Sequence, residues 1–86
     1  MPDRDDMTAT GPRLLTRLRV ARAERDLSQE QLARIAGVSR QTISSIETGQ
    51  FWPSTILSLR LARILAMRFE DLFWLEGAND EIPAGS

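Results

Sequence analysis

Arg40 and Gln41, followed one helical turn later by Ser44 and Ser45, are the residues whose types and spacing suggest chemistry. At about 100° per residue, Ile43 and Ile46 fall within roughly 60° of each other, and Gln41, Ser44 and Ser45 lie on the opposite side. The chemistry on offer is recognition rather than turnover. An Arg guanidinium can bond O6 and N7 of guanine together, a Gln amide can bond N6 and N7 of adenine, and both are long enough to reach a base edge. Gln and Ser on the outside of a soluble helix are otherwise ordinary. It is Arg40 in the first turn that gives the face its base-reading character.

The elements that must hold these side chains are written into the stretch Ser28–Gly49. Ser28 and Ser39 are candidate N-caps, each ahead of a helical run. Gln31 stands three residues after Ser28, the capping-box spacing. Between the runs, Gly37 marks a corner that needs left-handed or closely packed backbone. The pattern therefore predicts a helix-turn-helix: a second helix over about 29–36 with Leu32, Ile35 and Ala36 inward and Ala33 at the crossing, and a third over about 40–48 closed by Gly49. Helix one is expected from Arg13 to about Arg25, because Leu14, Leu18 and Ala21 recur at i, i+4 and i+7. Asp26 and Leu27 break it. Ser54 caps helix four, about 55–65, with Leu57, Leu61, Ile64 and Leu65 toward the core and Ile56 and Leu59 on the other side beside Arg60 and Arg63. Helix five is expected over about 69–75, with Phe69 and Leu72 inward. The fold class is all-α, a five-helix domain over residues 12–76. An acidic, unstructured lead-in (1–11) and a loose polar tail (77–86) flank it, and Pro12 is placed in the first helical turn.

Composition limits what such a domain can do. Its 86 residues include no His and no Cys, which removes disulfides, His bases, catalytic thiols and the usual zinc sets, and no carboxylates are spaced as an obvious pair. The expectation is a non-enzyme without cofactor or metal. No apolar run approaches the ~20 residues of a membrane span, and the acidic MPDRDD start is unlike a signal peptide, so a cytoplasmic protein is expected. The net charge of −1 looks unfavourable for binding nucleic acid, but residues 1–11 carry −2, residues 12–76 carry +3 and residues 77–86 carry −2. A mildly basic body bears two acidic ends. Every cation is Arg, which suits bidentate contact with phosphate or guanine but equally follows from a codon preference for Arg over Lys.

The run RxxxxRxxxDLSQEQLARIAGVSRQTISSIETGxxxPS, beginning at Arg17, resembles the Cro-like, or Xre-type, bacterial and phage repressors, most closely their short single-domain regulators. Ser-Gln at the start of helix two, Ala33, Gly37, Ile43, Ile46 and the Ile-Glu-x-Gly close of helix three carry the resemblance, which covers about residues 17–76. It implies a lambda-repressor-like fold with helix three in the major groove of double-stranded DNA. By the same resemblance, Ser39, Arg40, Gln41, Ser44 and Ser45 read bases, while Ser28, Gln29, Thr42 and Gln50 meet phosphate, Gln50 through its amide or its backbone N–H. Arg22 and Glu47 would form a brace between helices one and three, although Glu47 can also be read as a solvated surface acid. Family members commonly dimerise around helix five, which points to Phe73, Trp74 and Leu75, with Trp74 foremost.

Some positions depart from the family. Gln50-Phe51-Trp52-Pro53 is less basic than the phage loop, and at least one of the two aromatics is expected in the core, with the other against the DNA backbone. Ala66-Met67-Arg68 stands where Gly-Val-Ser is usual, so the corner before helix five should be less well capped. Ile56 and Leu59 can be ordinary exposed residues or a small partner surface. The leading expectation is a sequence-specific regulator, a repressor binding a palindromic operator as a homodimer. The alternative is a protein-interaction module, such as an antitoxin, that keeps the helix-turn-helix for autoregulation.

Overall fold

A computed structural model describes residues 13–76; the expectations for the lead-in, for Pro12 and for the tail lie outside them. Five helices run in order: α1 (Leu18–Glu24), α2 (Gln29–Ala36), α3 (Arg40–Glu47), α4 (Thr55–Ile64) and α5 (Phe69–Leu72). Two short strands bracket them, β1 (Leu14–Thr16) and β2 (Phe73–Leu75), paired antiparallel with Leu14 opposite Leu75, Leu15 opposite Trp74 and Thr16 opposite Phe73.

That ribbon corrects both ends of the helix assignment. Residues 13–16 are extended rather than helical because their backbone finds partners some sixty residues away, which no local period reveals. The Thr16 hydroxyl donates to the Leu72 carbonyl and accepts the Leu18 N–H, so it closes the strand and opens α1 together. Helix five stops at Leu72 instead of Leu75. With a four-residue α5, Phe73 rather than Phe69 turns inward: Phe73 is 2% exposed and Phe69 40%. Their rings remain in tilted contact, with centroids 5.9 Å apart.

The core is built from the inner faces of α1–α4, with Leu18, Leu32, Ile43, Ile46, Leu61 and Leu65 among its fully buried members, and is completed by Leu72 and Phe73. Leu57 and Ile64 pack partly buried against it. Ile35 is not part of it. The buried residues of α2 are Leu32, Ala33 and Ala36. They centre that face between Leu32 and Ala33, roughly 100° from Ile35, which is 56% exposed. Small Ala33 and Ala36 let α3 approach α2 closely, and this pair makes the most extensive contact in the domain.

Four helices end the same way. Leu27 N–H bonds the Arg22 carbonyl, Val38 that of Ala33, Gln50 that of Ser45 and Met67 that of Ala62, and in each case the preceding residue bonds three positions back. This is the Schellman pattern, which requires a left-handed residue. Gly37 (φ 78) and Gly49 (φ 80) supply it without strain, whereas Asp26 and Ala66 supply it at φ 56 with a side chain in place. Helix starts are more uniform: Ser28, Ser39 and Ser54 each accept a backbone N–H, Ser28 in a complete capping box with Gln31. At α5, Arg68 provides no side-chain cap.

Candidate nucleic-acid interface

α3 is the most polar outward-facing helix of the domain, and its neighbours fix its pose. Ile43 and Ile46 anchor it in the core. Ser39, Arg40 and Gln41 are exposed at its start, and Thr42, Ser44 and Ser45 are half-buried along it. Not all of these hydroxyls and amides are free. Ser39 Oγ accepts the Thr42 N–H and lies 2.9 Å from Thr42 Oγ1, so the two hydroxyls are occupied with each other and with the cap. Gln41 reaches Ser45 Oγ only at 3.5 Å, at the long limit of a hydrogen bond, so its amide is the least committed polar group on this face.

Behind α3 runs a chain of hydrogen bonds spanning three helices. Arg22 Nε donates to Glu47 Oε2 at 2.6 Å, and Arg22 also donates to Glu47 Oε1 and to the Leu27 carbonyl. Glu47 Oε1 further accepts from Gln29 Nε2 at 3.0 Å, and Gln29 Oε1 accepts from Arg40 at 3.1 Å. The Glu47 side chain is 4% exposed and that of Arg22 16%, so this is a partly buried network and not a solvated surface acid. It fixes the Gln29 amide: its nitrogen must face the carboxylate, which leaves its oxygen for the Arg40 guanidinium. Arg40 is thus held from behind at the first turn of the exposed helix.

Among the positions expected to meet phosphate, Ser28 and Gln29 sit at the N-terminus of α2, where unpaired N–H groups favour anions. The Ser28 oxygen serves the capping box. Gln50 is exposed, but its backbone N–H is committed to the Ser45 carbonyl at 2.9 Å, which leaves only the side-chain amide of the two routes expected for it. Neither Phe51 nor Trp52 enters the core; both are 44% exposed, because the core beneath α4 is already closed by Leu61, Leu65 and Phe73. Trp52 forms one wall of a groove of about 310 Å³ whose other walls include Leu15, Thr16, Glu47 and Gly49. Of the three residues expected at a two-fold contact, Trp74 and Leu75 are exposed (39% and 46%), while Phe73 is in the core and has no surface to offer.

Two positioning contacts escaped the sequence. Arg60, from α4, donates to the Ala36 carbonyl at 2.9 Å and so caps α2 at the corner where α3 begins; nothing in an amphipathic helix marks which Arg does this. Arg68 and Glu70 pair on the surface, and the hydrogen bond from Arg68 holds the Glu70 carboxyl below its usual range while Glu70 in turn raises the Arg68 pKa. No helix among the described residues is long and apolar enough to cross a membrane.

Comparison with known proteins bears on this geometry. The family model described as helix-turn-helix matches residues 18–72. An uncharacterised HTH-type transcriptional regulator of Bacillus subtilis, YgzD, is 45% identical over 58 residues, 67% of this chain and 88% of that one. Another, MJ0272 of Methanocaldococcus jannaschii, is 43% identical over 60 residues, covering 70% and 91%. Among solved structures, the restriction-modification controller protein C.AhdI of Aeromonas hydrophila superposes with a TM-score of 0.62 at 38% identity over 66% of this chain and 86% of that one. A putative DNA-binding protein of Bacteroides fragilis gives 0.66 at 28% identity over 71% and 98%. With its exposed, braced α3 on a five-helix lambda-repressor-like scaffold, the chain belongs to the Xre/Cro-like helix-turn-helix family of DNA-binding transcriptional regulators.

Proposed function

We propose that the protein is a cytoplasmic, non-enzymatic repressor that binds a palindromic operator as a homodimer, with α3 of each subunit in successive major grooves about 34 Å apart. Arg40 and Gln41 carry base choice, with Ser44 and Ser45 beside them, and the Gln29 backbone N–H and the Gln50 side chain fix register on the phosphates, while Ser28, Ser39 and Thr42 join these contacts by exchanging the hydrogen bonds of their caps. Trp74 and Leu75 belong to the two-fold contact. The observation that carries this reading is the chain Arg22–Glu47–Gln29–Arg40. It orients the guanidinium before DNA arrives, so binding loses less side-chain freedom than a free Arg would.

Selection from random duplexes tests it. The expected outcome is a two-fold site with half-sites one helical turn apart. Arg40→Ala and Gln41→Ala should each lower affinity for that site by about 1–3 kcal/mol and scarcely change affinity for random DNA. Equal losses on both would remove these residues from base reading.

A further inference from the structure

α4 has two unlike faces. Ser58, Leu61 and Ala62 are buried on one side, and Ile56, Leu59, Arg60 and Arg63, at i, i+3, i+4 and i+7, fall within about 100° of arc on the other. Ile56 is 70% exposed, the most of any large hydrophobic residue described, and Leu59 is 51% exposed. A single apolar residue in water is ordinary; the position of Ile56 is not. It stands in the first turn of α4, where the helix dipole favours an acid and where a straight-chain residue suits a helix better than a β-branched one. That turn holds no acid, and no Asp or Glu lies anywhere between Glu47 and Glu70. The stripe is therefore apolar at its start and cationic at its end, with no anion of its own.

Neither arginine is neutralised within the domain. Arg60 and Arg63 are exposed, and neither makes an ion pair among the described residues. Arg60 donates through Nη1 to the Ala36 carbonyl at 2.9 Å. That bond holds the guanidinium and leaves Nε and Nη2, an edge that can take a carboxylate through two parallel bonds, and a side chain already held loses less freedom on binding.

We propose that this face docks an acidic amphipathic segment of another protein, its apolar side chains against Ile56 and Leu59 and its carboxylates on Arg60 and Arg63. Charge selects this occupant. A second copy of the face would bring four arginines together with no anion among them. A nucleic-acid backbone would satisfy the arginines but set Ile56 and Leu59 against phosphates. Only a partner that carries acids beside apolar groups answers both halves of the stripe. From Ile56 to Arg63 the stripe runs about 10 Å, so two turns of a helix cover it, the helix-docking mode of peptide recognition. Such a contact falls below about 1,200 Å², in the range of weak and transient complexes. None of the four side chains belongs to the set assigned to DNA, so the docking face stands apart from the regulatory reading.

NMR titration of the isotope-labelled full chain tests this, with a synthetic helical peptide built of Leu and Glu, its leucines on one face and glutamates beside them. Saturable shifts of the backbone amides of residues 56–63 are expected. A scrambled peptide of the same composition should bind about tenfold more weakly, and a peptide with Lys in place of Glu should not bind. Ile56→Ser and Arg63→Gln should each weaken the acidic peptide about tenfold, the scale of losing one interface anchor, with circular dichroism unchanged, while Arg19→Gln, at an exposed arginine of α1, leaves its affinity as it was. Equal binding of the ordered and scrambled peptides, an affinity indifferent to Ile56→Ser, or shifts centred on other residues overturns the proposal. So do shifts of residues 56–63 that follow protein concentration alone, which would make the occupant a second copy, and shifts there with random duplex DNA that Arg63→Gln weakens, which would make the face a phosphate contact.

Discussion

Glu47 is the residue on which the pose of α3 depends most, because it receives three hydrogen bonds from two helices while its side chain is almost wholly buried. Desolvating a carboxylate costs several kcal/mol, and the Arg22 fork and the Gln29 amide offset that cost only when both are present. Glu47→Ala leaves the Arg22 guanidinium without its counterion and frees the Gln29 amide to flip. It should destabilise the domain by about 3–5 kcal/mol in urea titration. The pair Arg22→Met with Glu47→Leu should cost less than the sum of its parts, because it removes the charge together with its partner; strict additivity would show the two side chains to be independent. Sequence alone offered this pair only by family likeness, since 25 residues separate the two. The Gln29 link was not legible at all, because a Gln in the first turn of a helix looks the same whether it faces phosphate, water or a buried acid.

The elements show where local patterns suffice and where they fail. Ser28, Ser39, Ser54, Gly37 and Gly49 act through bonds within six residues, so the helix-turn-helix and the start of α4 were legible from their caps and corners. The strands were not, because Leu14–Thr16 is as apolar as a first helical turn and becomes extended only by pairing with Phe73–Leu75. Ala66 is the element-scale weakness. It closes α4 in left-handed backbone at φ 56, where its Cβ crowds the following carbonyl at a cost of roughly 1–2 kcal/mol. Gly removes that strain but loses about 0.5–1 kcal/mol in chain entropy. Ala66→Gly should therefore stabilise the protein by up to ~1.5 kcal/mol, read as a rise in Tm, with DNA binding unchanged; a fall in Tm would mean that the methyl group contributes packing that its exposure does not suggest. The next helix starts on the Arg68–Glu70 pair in place of a cap. Glu70 has a lowered pKa, chiefly through its bond from Arg68. The pair's contribution is present above the ordinary carboxylate range and is lost as pH falls through the lowered value. The pair is fully exposed, so its effect is small and screened by salt.

At the scale of the whole molecule, the ribbon fastens the two ends of the described chain to each other and closes the core. Arg17 N–H bonds the Leu72 carbonyl and Glu76 N–H the Arg13 carbonyl. Bonded and non-bonded pairs alternate along an antiparallel ladder, so Leu15 and Trp74 face each other as a bonded pair and the N–H groups of Leu14 and Leu75 point outward. Two three-residue strands are too short to persist alone, and what holds them is Phe73, buried to 2%. Peeling β2 away exposes that ring at a cost of about 1.5–3 kcal/mol, less than the 5–15 kcal/mol that unfolds a typical domain. The ribbon should consequently open as a sub-global unit. In native-state hydrogen exchange of the monomer, the Leu15 and Trp74 amides should exchange about 10–100-fold more slowly than open amides, at 1.4 kcal/mol per tenfold, yet faster than Ile43 and Ile46 in the core. Phe73→Leu should lower the protection of Leu15 and Trp74 more than that of Ile46. Equal protection throughout would make the ribbon part of one cooperative core, and no protection at all would mean that the ends part freely and that Phe73 does not hold them.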